Sequence, residues 1–332
     1  MSKPNIFKIA TKELSQDGFF TWLLKWADPT NQQYNTDLHN CAKKFVELLV
    51  SKQIDLSDNF KINKVEAGRQ WENIDIWAEI NDNILLIIED KTFTKQHSKQ
   101  LERYKEIAQN YCNKNQYQLV CLYLKTGSQS KSSLKEVTKA GYAIIDRAEL
   151  LTFFKQHKVN NDIYTDFIER IESLEIARQS FRKQTIKDWT YSSWEGFYQF
   201  LEEKIDVTDW RYVANPTGGF LGLWWHFLEY EDYCIYLQIE QGNLCFKIGC
   251  VEENNGRVRN EWYSAIIKQA KKEERKEIHK PARFGNGNYM TVAIVDRKDW
   301  LGEDNSLFDE NAVIERLKEY EKFLDRCLAN NP

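Results

Sequence analysis

Two hydrophobic periods divide this chain. Phe19, Trp22, Leu23 and Trp26 fall at i, i+3, i+4 and i+7 and predict an amphipathic helix over 15–27, with Ser15 as its N-cap. A second helix is predicted from Thr36 to Val50, with Leu38, Cys41, Phe45, Leu48 and Leu49 on its apolar side. Strands are predicted at 61–66, 71–80 and 83–91, and Asn81-Asp82-Asn83 makes the last two a hairpin. A helix over 96–113 leads to the apolar run 117–125, suited to a buried strand. The polar loop 127–133, a short helix, a strand at 142–146 and a helix at 149–157 follow. This order predicts an α/β core, a mixed sheet flanked by helices.

The second half reads differently. Residues 160–183 are helical and charged and read as a connecting helix. A helix at 190–205 opens a run of strands at 209–214, 219–230, 232–241 and 244–252, with turn residues at Thr217-Gly218-Gly219 and Gln241-Gly242-Asn243. A basic helix at 260–277, a strand at 288–296 and a helix at 309–328 complete a C-terminal α+β domain. The predicted organisation is a first domain over 1–158, a connector over 159–185, and a second domain over 186–332.

Composition narrows the setting. Of 332 residues, 42% are hydrophobic and 29% charged, which suffices for two packed cores. No apolar run approaches the ~18 residues of a membrane span, and the opening residues lack the apolar stretch of a secretory signal. Seven cysteines with no CxxC pair suggest reduced thiols. The expected setting is cytoplasmic, without a membrane partner. The net charge of −4 argues against a nucleic-acid partner, but its distribution argues the other way. Between Lys91 and Lys139 ten Lys and Arg stand against three Glu, and between Lys268 and Arg283 seven stand against three acids. Local basic surface of this kind suits phosphate.

The candidate chemistry lies at the end of the 83–91 strand. Cleaving a phosphodiester needs activated water and positive charge against the developing negative charge, and Mg²⁺ on hard carboxylate oxygens supplies both. Glu89 and Lys91 point to one side of that strand and Asp90 to the other. Asp75, between Ile74 and Ile76, is an acid in an apolar strand. The hairpin makes it a near neighbour of Glu89 if the strands splay or a bulge shifts their register.

Asp75, thirteen intervening residues, then Glu89-x-Lys91 resembles the PD-(D/E)XK nuclease signature, with Ile74 where a proline often stands. Asn5-Ile6-Phe7, Ala10-Thr11-Lys12-Glu13-Leu14-Ser15-Gln16-Asp17 and Gln100-Leu101-x-x-Tyr104 resemble a bacterial branch of that superfamily over roughly residues 1–157, and Gly218-Gly219-Phe220 and Trp224-Trp225 do so more weakly. The resemblance implies a Mg²⁺-dependent nuclease, with Mn²⁺ able to substitute, acting on nucleic acid, DNA in the first place, in defence or repair. Asp75, Glu89 and Glu13 would ligate the metal, the Asp90 carbonyl adding a ligand. Lys91 would position water and steady the phosphate. Gln100 would contact the site, and Lys95, Lys99, Arg103 and Tyr104 are candidate substrate contacts. The resemblance also implies a restriction-endonuclease-like core with the nuclease domain over 1–158, leaves substrate recognition or dimerisation to 186–332, and raises homodimerisation.

Plainer readings stand beside each of these. The Asp75, Glu89 and Lys91 set can be a surface ion-pair network, and the whole fold a catalytically silent module that binds nucleic acid or protein. Glu13 can simply favour a helix N-terminus, and Gln100 and Tyr104, one turn apart, can pack on the sheet. Asp17 reads as a first-turn helix acid, His39 as a capping or core-edge residue, and His97 as a solvated side chain near phosphate. No HExxH, phosphate loop or serine elbow is present.

Overall fold

The computed structural model describes residues 3–96, 99–215 and 218–330. The expectations for His97 and Thr217 therefore lie outside the described residues. The chain forms two compact units, one of residues 1–129 with 133–176, the other of 130–132 with 177–332.

The first unit starts with the short helix α1 (Ile6–Ile9), capped by the Asn5 side chain on the Phe7 N–H, followed by α2 (Glu13–Trp26) and α3 (Thr36–Ser51). α2 begins two residues earlier than its apolar period suggests, and Ser15 is inside it rather than capping it. Its buried face also differs: Phe19, Phe20, Leu23 and Leu24 are enclosed, whereas Trp22 and Trp26 stay half-buried. Strands β1 (Val65–Trp71), β2 (Ile74–Ile80) and β3 (Ile84–Lys91) form an antiparallel meander. The Asn81-Asp82-Asn83 turn occurs as expected between paired Ile80 and Ile84, with Asn81 and Asp82 left-handed at φ of 56° and 53°. β1 lies several residues beyond the predicted 61–66. Residues 61–63 are instead held by the Asn81 side chain, which accepts from the Asn63 N–H and donates to the Lys61 carbonyl.

Helix α4 (Gln100–Asn115) carries the chain across to β4 (Gln118–Lys125), parallel to β3, and α5 (Lys131–Lys139) leads to β5 (Ala143–Asp146), parallel to β4. The sheet order is β1-β2-β3-β4-β5, a mixed sheet. β3 is buried along its whole length, which explains why it reads as an unbroken apolar run. Ile84, Leu86 and Ile88 join a core with α2, α3, α6 (Arg147–Gln156) and α7 (Asp162–Gln179), while Leu85 and Ile87 join another with α4. The expected connector is corrected here. Tyr164, Phe167 and Ile171 of α7 are core residues of this unit, and Phe167 stacks on Phe19 with ring centroids 3.7 Å apart.

The second unit contains α8 (Tyr191–Lys204), β6 (Val207–Asn215), β7 (Gly218–Tyr230), β8 (Tyr233–Glu240), β9 (Asn243–Gly249), α9 (Asn255–Lys272), β10 (Met290–Val295), α10 (Arg297–Trp300) and α11 (Glu310–Ala329). Its antiparallel sheet has the order β10-β9-β8-β7-β6, and one apolar core joins it to the helices. The basic helix is shifted from the predicted 260–277 to 255–272. Its core contacts end at Ala270, and the chain then turns back, with the Arg275 N–H donating to the Ala270 carbonyl and Ile278 buried. No helix among the described residues is long and apolar enough to cross a membrane.

Candidate active site

The site lies at the carboxyl end of β3, where it runs parallel to β4, the edge at which open α/β sheets place ligands. The β2–β3 ladder stops at Ile76–Ile88. The strands part beyond that pair without a bulge, and the Asp75 side chain takes over as partner: its Oδ2 accepts from the Asp90 N–H at 3.1 Å. Asp75 is therefore in an apolar strand because its carboxylate continues a ladder that the backbone has ended.

Alternation along β3 does the rest. Glu89 and Lys91 face α4. The Lys91 ammonium contacts Glu89 Oε1 at 2.6 Å, Asp75 Oδ2 at 3.1 Å and the Asp90 carbonyl at 2.9 Å. Gln100, opening α4, donates to the same Glu89 Oε1 at 2.8 Å and to the Tyr104 hydroxyl at 3.2 Å. Burial raises the Glu89 pKa to about 7, the Asp75 charge adding to the rise and Lys91 opposing it. Burial also works against the charge on Lys91, but Glu89 and Asp75 outweigh it and hold its pKa above the ordinary value.

The donor set suits a hard divalent cation. Two carboxylates and a backbone carbonyl converge on one ammonium, which is where a positive charge is stabilised. Glu89 Oε2 is buried with no hydrogen-bond partner among the described residues, an acceptor left over for a ligand. Asp75 and Glu89, with the Asp90 carbonyl, are the groups that would hold such an ion.

Glu13 has a different position from the one expected. Its Oε1 accepts from the Thr92 N–H at 2.9 Å and from the Thr94 hydroxyl at 3.0 Å, fixing the chain just after Lys91. Burial opposes its ionisation, but these donors and the Lys91 charge hold its pKa below the usual carboxylate value. Among the described residues no three Asp, Glu, His or Cys side chains stand together as a metal-holding group. Glu13 thus stands apart from Asp75 and Glu89 and anchors the loop after Lys91. Lys125, in register with Lys91 on the parallel strand, anchors the same loop by donating to the Thr92 and Thr94 carbonyls at 2.9 and 2.6 Å. Lys91 and Lys125 are both buried, so the basic run 91–139 is less of a surface than its count suggests.

The other predicted contacts separate by exposure. Lys95, Lys99 and Arg103 are exposed, and the Arg103 guanidinium lies 5.0 Å from the Tyr104 ring centroid. Tyr104 itself is 4% exposed, packs with Leu85 and Ile87, and accepts from Gln100 through its hydroxyl. His39 is buried away from the site, with Nδ1 2.8 Å from the Trp26 carbonyl oxygen.

On the α2 side of β3 lies a cluster that sequence reasoning missed. Asp90 is fully buried, and its Oδ1 accepts from Gln16 Nε2 at 2.5 Å. Thr126 donates to Gln16 Oε1 at 2.9 Å and lies 3.0 Å from the Thr92 hydroxyl. Asp17, read from sequence as an ordinary helix acid, is 2% exposed and meets Asp90. Burial raises the Asp17 pKa to about 6 and that of Asp90 well above its usual value. Asp17 Oδ1 and Asp90 Oδ2 have no other partner among the described residues, so a proton shared between the two carboxyls is the arrangement that lets both be buried. Two signals were present in the sequence. Glu13, Gln16, Asp17 and Phe20 form an i, i+3, i+4, i+7 stripe, and Lys-Thr occurs at both 91–92 and 125–126.

The comparison with known proteins agrees with this geometry. The model of a family described as the PD-(D/E)XK nuclease superfamily matches residues 4–193, more than half of the chain. No curated protein and no solved structure matches. With Asp75, Glu89 and Lys91 gathered at the end of β3 inside the matched span, the chain belongs to the PD-(D/E)XK nuclease superfamily.

Proposed function

We propose that this chain is a metal-dependent nuclease that hydrolyses phosphodiester bonds, in DNA before RNA, and that it serves in defence against foreign DNA or in repair. The observation that carries this reading is the Lys91 ammonium held between Glu89 Oε1 and Asp75 Oδ2. A mere surface ion pair would be exposed, whereas Glu89 and Lys91 are buried at the end of a core strand.

Mg²⁺, or Mn²⁺ in its place, is the ion proposed for Asp75, Glu89 and the Asp90 carbonyl. When bound, it supplies Lewis acidity toward water and the phosphoryl oxygens. The chain's own residues contribute the rest. With an ion held by those acids, the Lys91 ammonium would be the group to orient water and steady the phosphate charge. Gln100 holds Glu89 in one rotamer by donating to Oε1, and Tyr104 in turn holds Gln100. Glu13 and Lys125 fix the loop 92–94, so that Lys91 is presented from a rigid base. Exposed Lys95, Lys99 and Arg103 supply positive surface for the nucleic-acid backbone.

The deciding experiment incubates the protein with plasmid, single-stranded DNA and RNA, with Mg²⁺, with Mn²⁺ or with chelator. Metal-dependent cleavage lost in Lys91→Ala and in Glu89→Gln supports the proposal. Cleavage that persists unchanged in both variants places the chemistry elsewhere. Nucleic acid shifted on a gel but never cut, under every metal condition, points to a silent binding module.

A further inference from the structure

The basic helix of the second unit has two unlike faces. Trp262, Ile266 and Ala270 of α9 recur every four residues and are buried in the core. On another face Arg257, Ser264, Ala265, Lys268 and Lys272 follow helical spacing and, with Asn330 just beyond α11, line an open groove of about 1050 Å³. The basic run 268–283 is divided by this geometry. Arg275 is engaged by Glu273, Glu277 and Glu319, whereas exposed Lys268 and Lys272 face the groove.

We propose that this groove binds the phosphate backbone of a nucleic-acid strand, as a docking site separate from the metal site. The choice of nucleic acid over other polyanions rests on the nuclease reading above; the anionic character of the ligand rests on the groove. Its charged lining is three cations against one acid, Glu261, and that acid is already paired with Arg257 at 3.2 Å. Lys268 and Lys272 lie one turn apart, ~6 Å along the axis, and Arg257 lies ~16 Å from Lys268, so the positive charge forms a line rather than a point. A line of charge matches a polymer of phosphates better than a single anion. Between the cations stand Ser264 and Ala265, whose small side chains let a backbone approach the helix closely. Asn330 lines one end of the groove, its amide held by the Arg326 carbonyl at 2.8 Å.

The test uses the full chain in chelator, where no cleavage interferes, and measures fluorescence anisotropy of a labelled DNA single strand and a labelled duplex across a salt series. Lys268→Glu/Lys272→Glu should lower affinity at least tenfold and reduce the slope of log affinity against log salt by about two. Ser264→Trp, which blocks the middle of the groove without changing charge, should also weaken binding. Lys318→Glu/Lys322→Glu, an equal charge change elsewhere on the unit, should have a much smaller effect. Circular dichroism of each variant checks that it folds. Unchanged binding in the groove variants overturns the proposal, and so does an equal loss in the control pair. Groove-dependent binding of an acidic peptide, with none of DNA or RNA, replaces nucleic acid with a protein partner and overturns it too. Failure of the nuclease reading is distinguishable: groove-dependent DNA binding by a protein that never cuts leaves this site standing, and cutting by a protein whose binding ignores the groove leaves only the metal site.

Discussion

The two faces of β3 handle buried carboxylates in opposite ways, one residue apart. On the α4 face, Glu89 is held with Asp75 around an ammonium, and the Asp75 and Lys91 side chains retain 18% and 10% of their exposure. On the α2 face, buried Asp90 meets buried Asp17 with no ion pair to either carboxyl among the described residues. The Lys91 and Arg69 charges act on Asp17 less strongly than burial does, and a shared proton suits that arrangement. Both faces concentrate negative charge at one strand end. They differ in what neutralises it, and hence in what can be exchanged. An ammonium at a partly open edge can give way to a metal ion, whereas a proton locked between two enclosed carboxyls fixes the backbone of Asp90. That backbone is common to both faces, because its N–H goes to Asp75 and its carbonyl to Lys91.

The largest effect is expected from removing the ammonium. Lys91→Ala leaves two partly or fully buried acids without their cation, which should cost roughly 3–5 kcal/mol of stability in chelator and about 10²–10³-fold in cleavage. Thermal unfolding should show millimolar Mg²⁺ stabilising this variant more than the wild type, since the ion replaces the lost charge. An identical Mg²⁺ response in both proteins would break the comparison on the α4 side.

Next comes Gln100→Leu, which takes one of the two donors from Glu89 Oε1. Cleavage or apparent Mg²⁺ affinity should fall about 10–100-fold, measured as the Mg²⁺ concentration for half-maximal rate. If neither moves, Gln100 only packs.

Asp17→Asn sharpens the other face. Because the folded pKa of Asp17 is raised from 3.8 to about 6, the folded protein binds the extra proton more tightly, and wild-type stability falls as pH rises through that range. The variant should match the wild type at the acidic end of the window and exceed it by on the order of 2 kcal/mol above it. Denaturant titrations across the window would show two parallel curves if no proton is shared there.

The smallest effect is that of Tyr104→Phe, which removes one hydrogen-bond partner of Gln100 and keeps the packing. A loss of about 0.5–1.5 kcal/mol or less is expected, seen as a modest rate change with the Mg²⁺ requirement intact. A loss as large as that of Gln100→Leu would return Tyr104 to direct contact with substrate.

Much of this was legible from residues alone. The period-two and period-3.6 patterns predicted every strand of both sheets to within a few residues apart from β1, an edge strand in which Gly68, Arg69 and Gln70 interrupt the apolar alternation. Asp75, Glu89 and Lys91 were readable because acids and a lysine at the end of an apolar strand have no packing reason to be there. α2 was harder. Its polar stripe looked like a solvated start of a helix, and nothing in composition separates a solvated Asp from one that meets another Asp inside a core.

What the sequence determined by itself was local and periodic: which segments alternate, which side of β3 each residue faces, and where charge interrupts an apolar run. Tertiary structure alone decided which distant groups meet. It brought Gln16 onto Asp90 across 74 residues and Thr126 onto Gln16 across 110, set Asp17 against Asp90, and placed Glu13 on Thr92. The physical reason is that a side chain's partner, burial and protonation depend on the packing of separate elements, and no spacing within a single element encodes that.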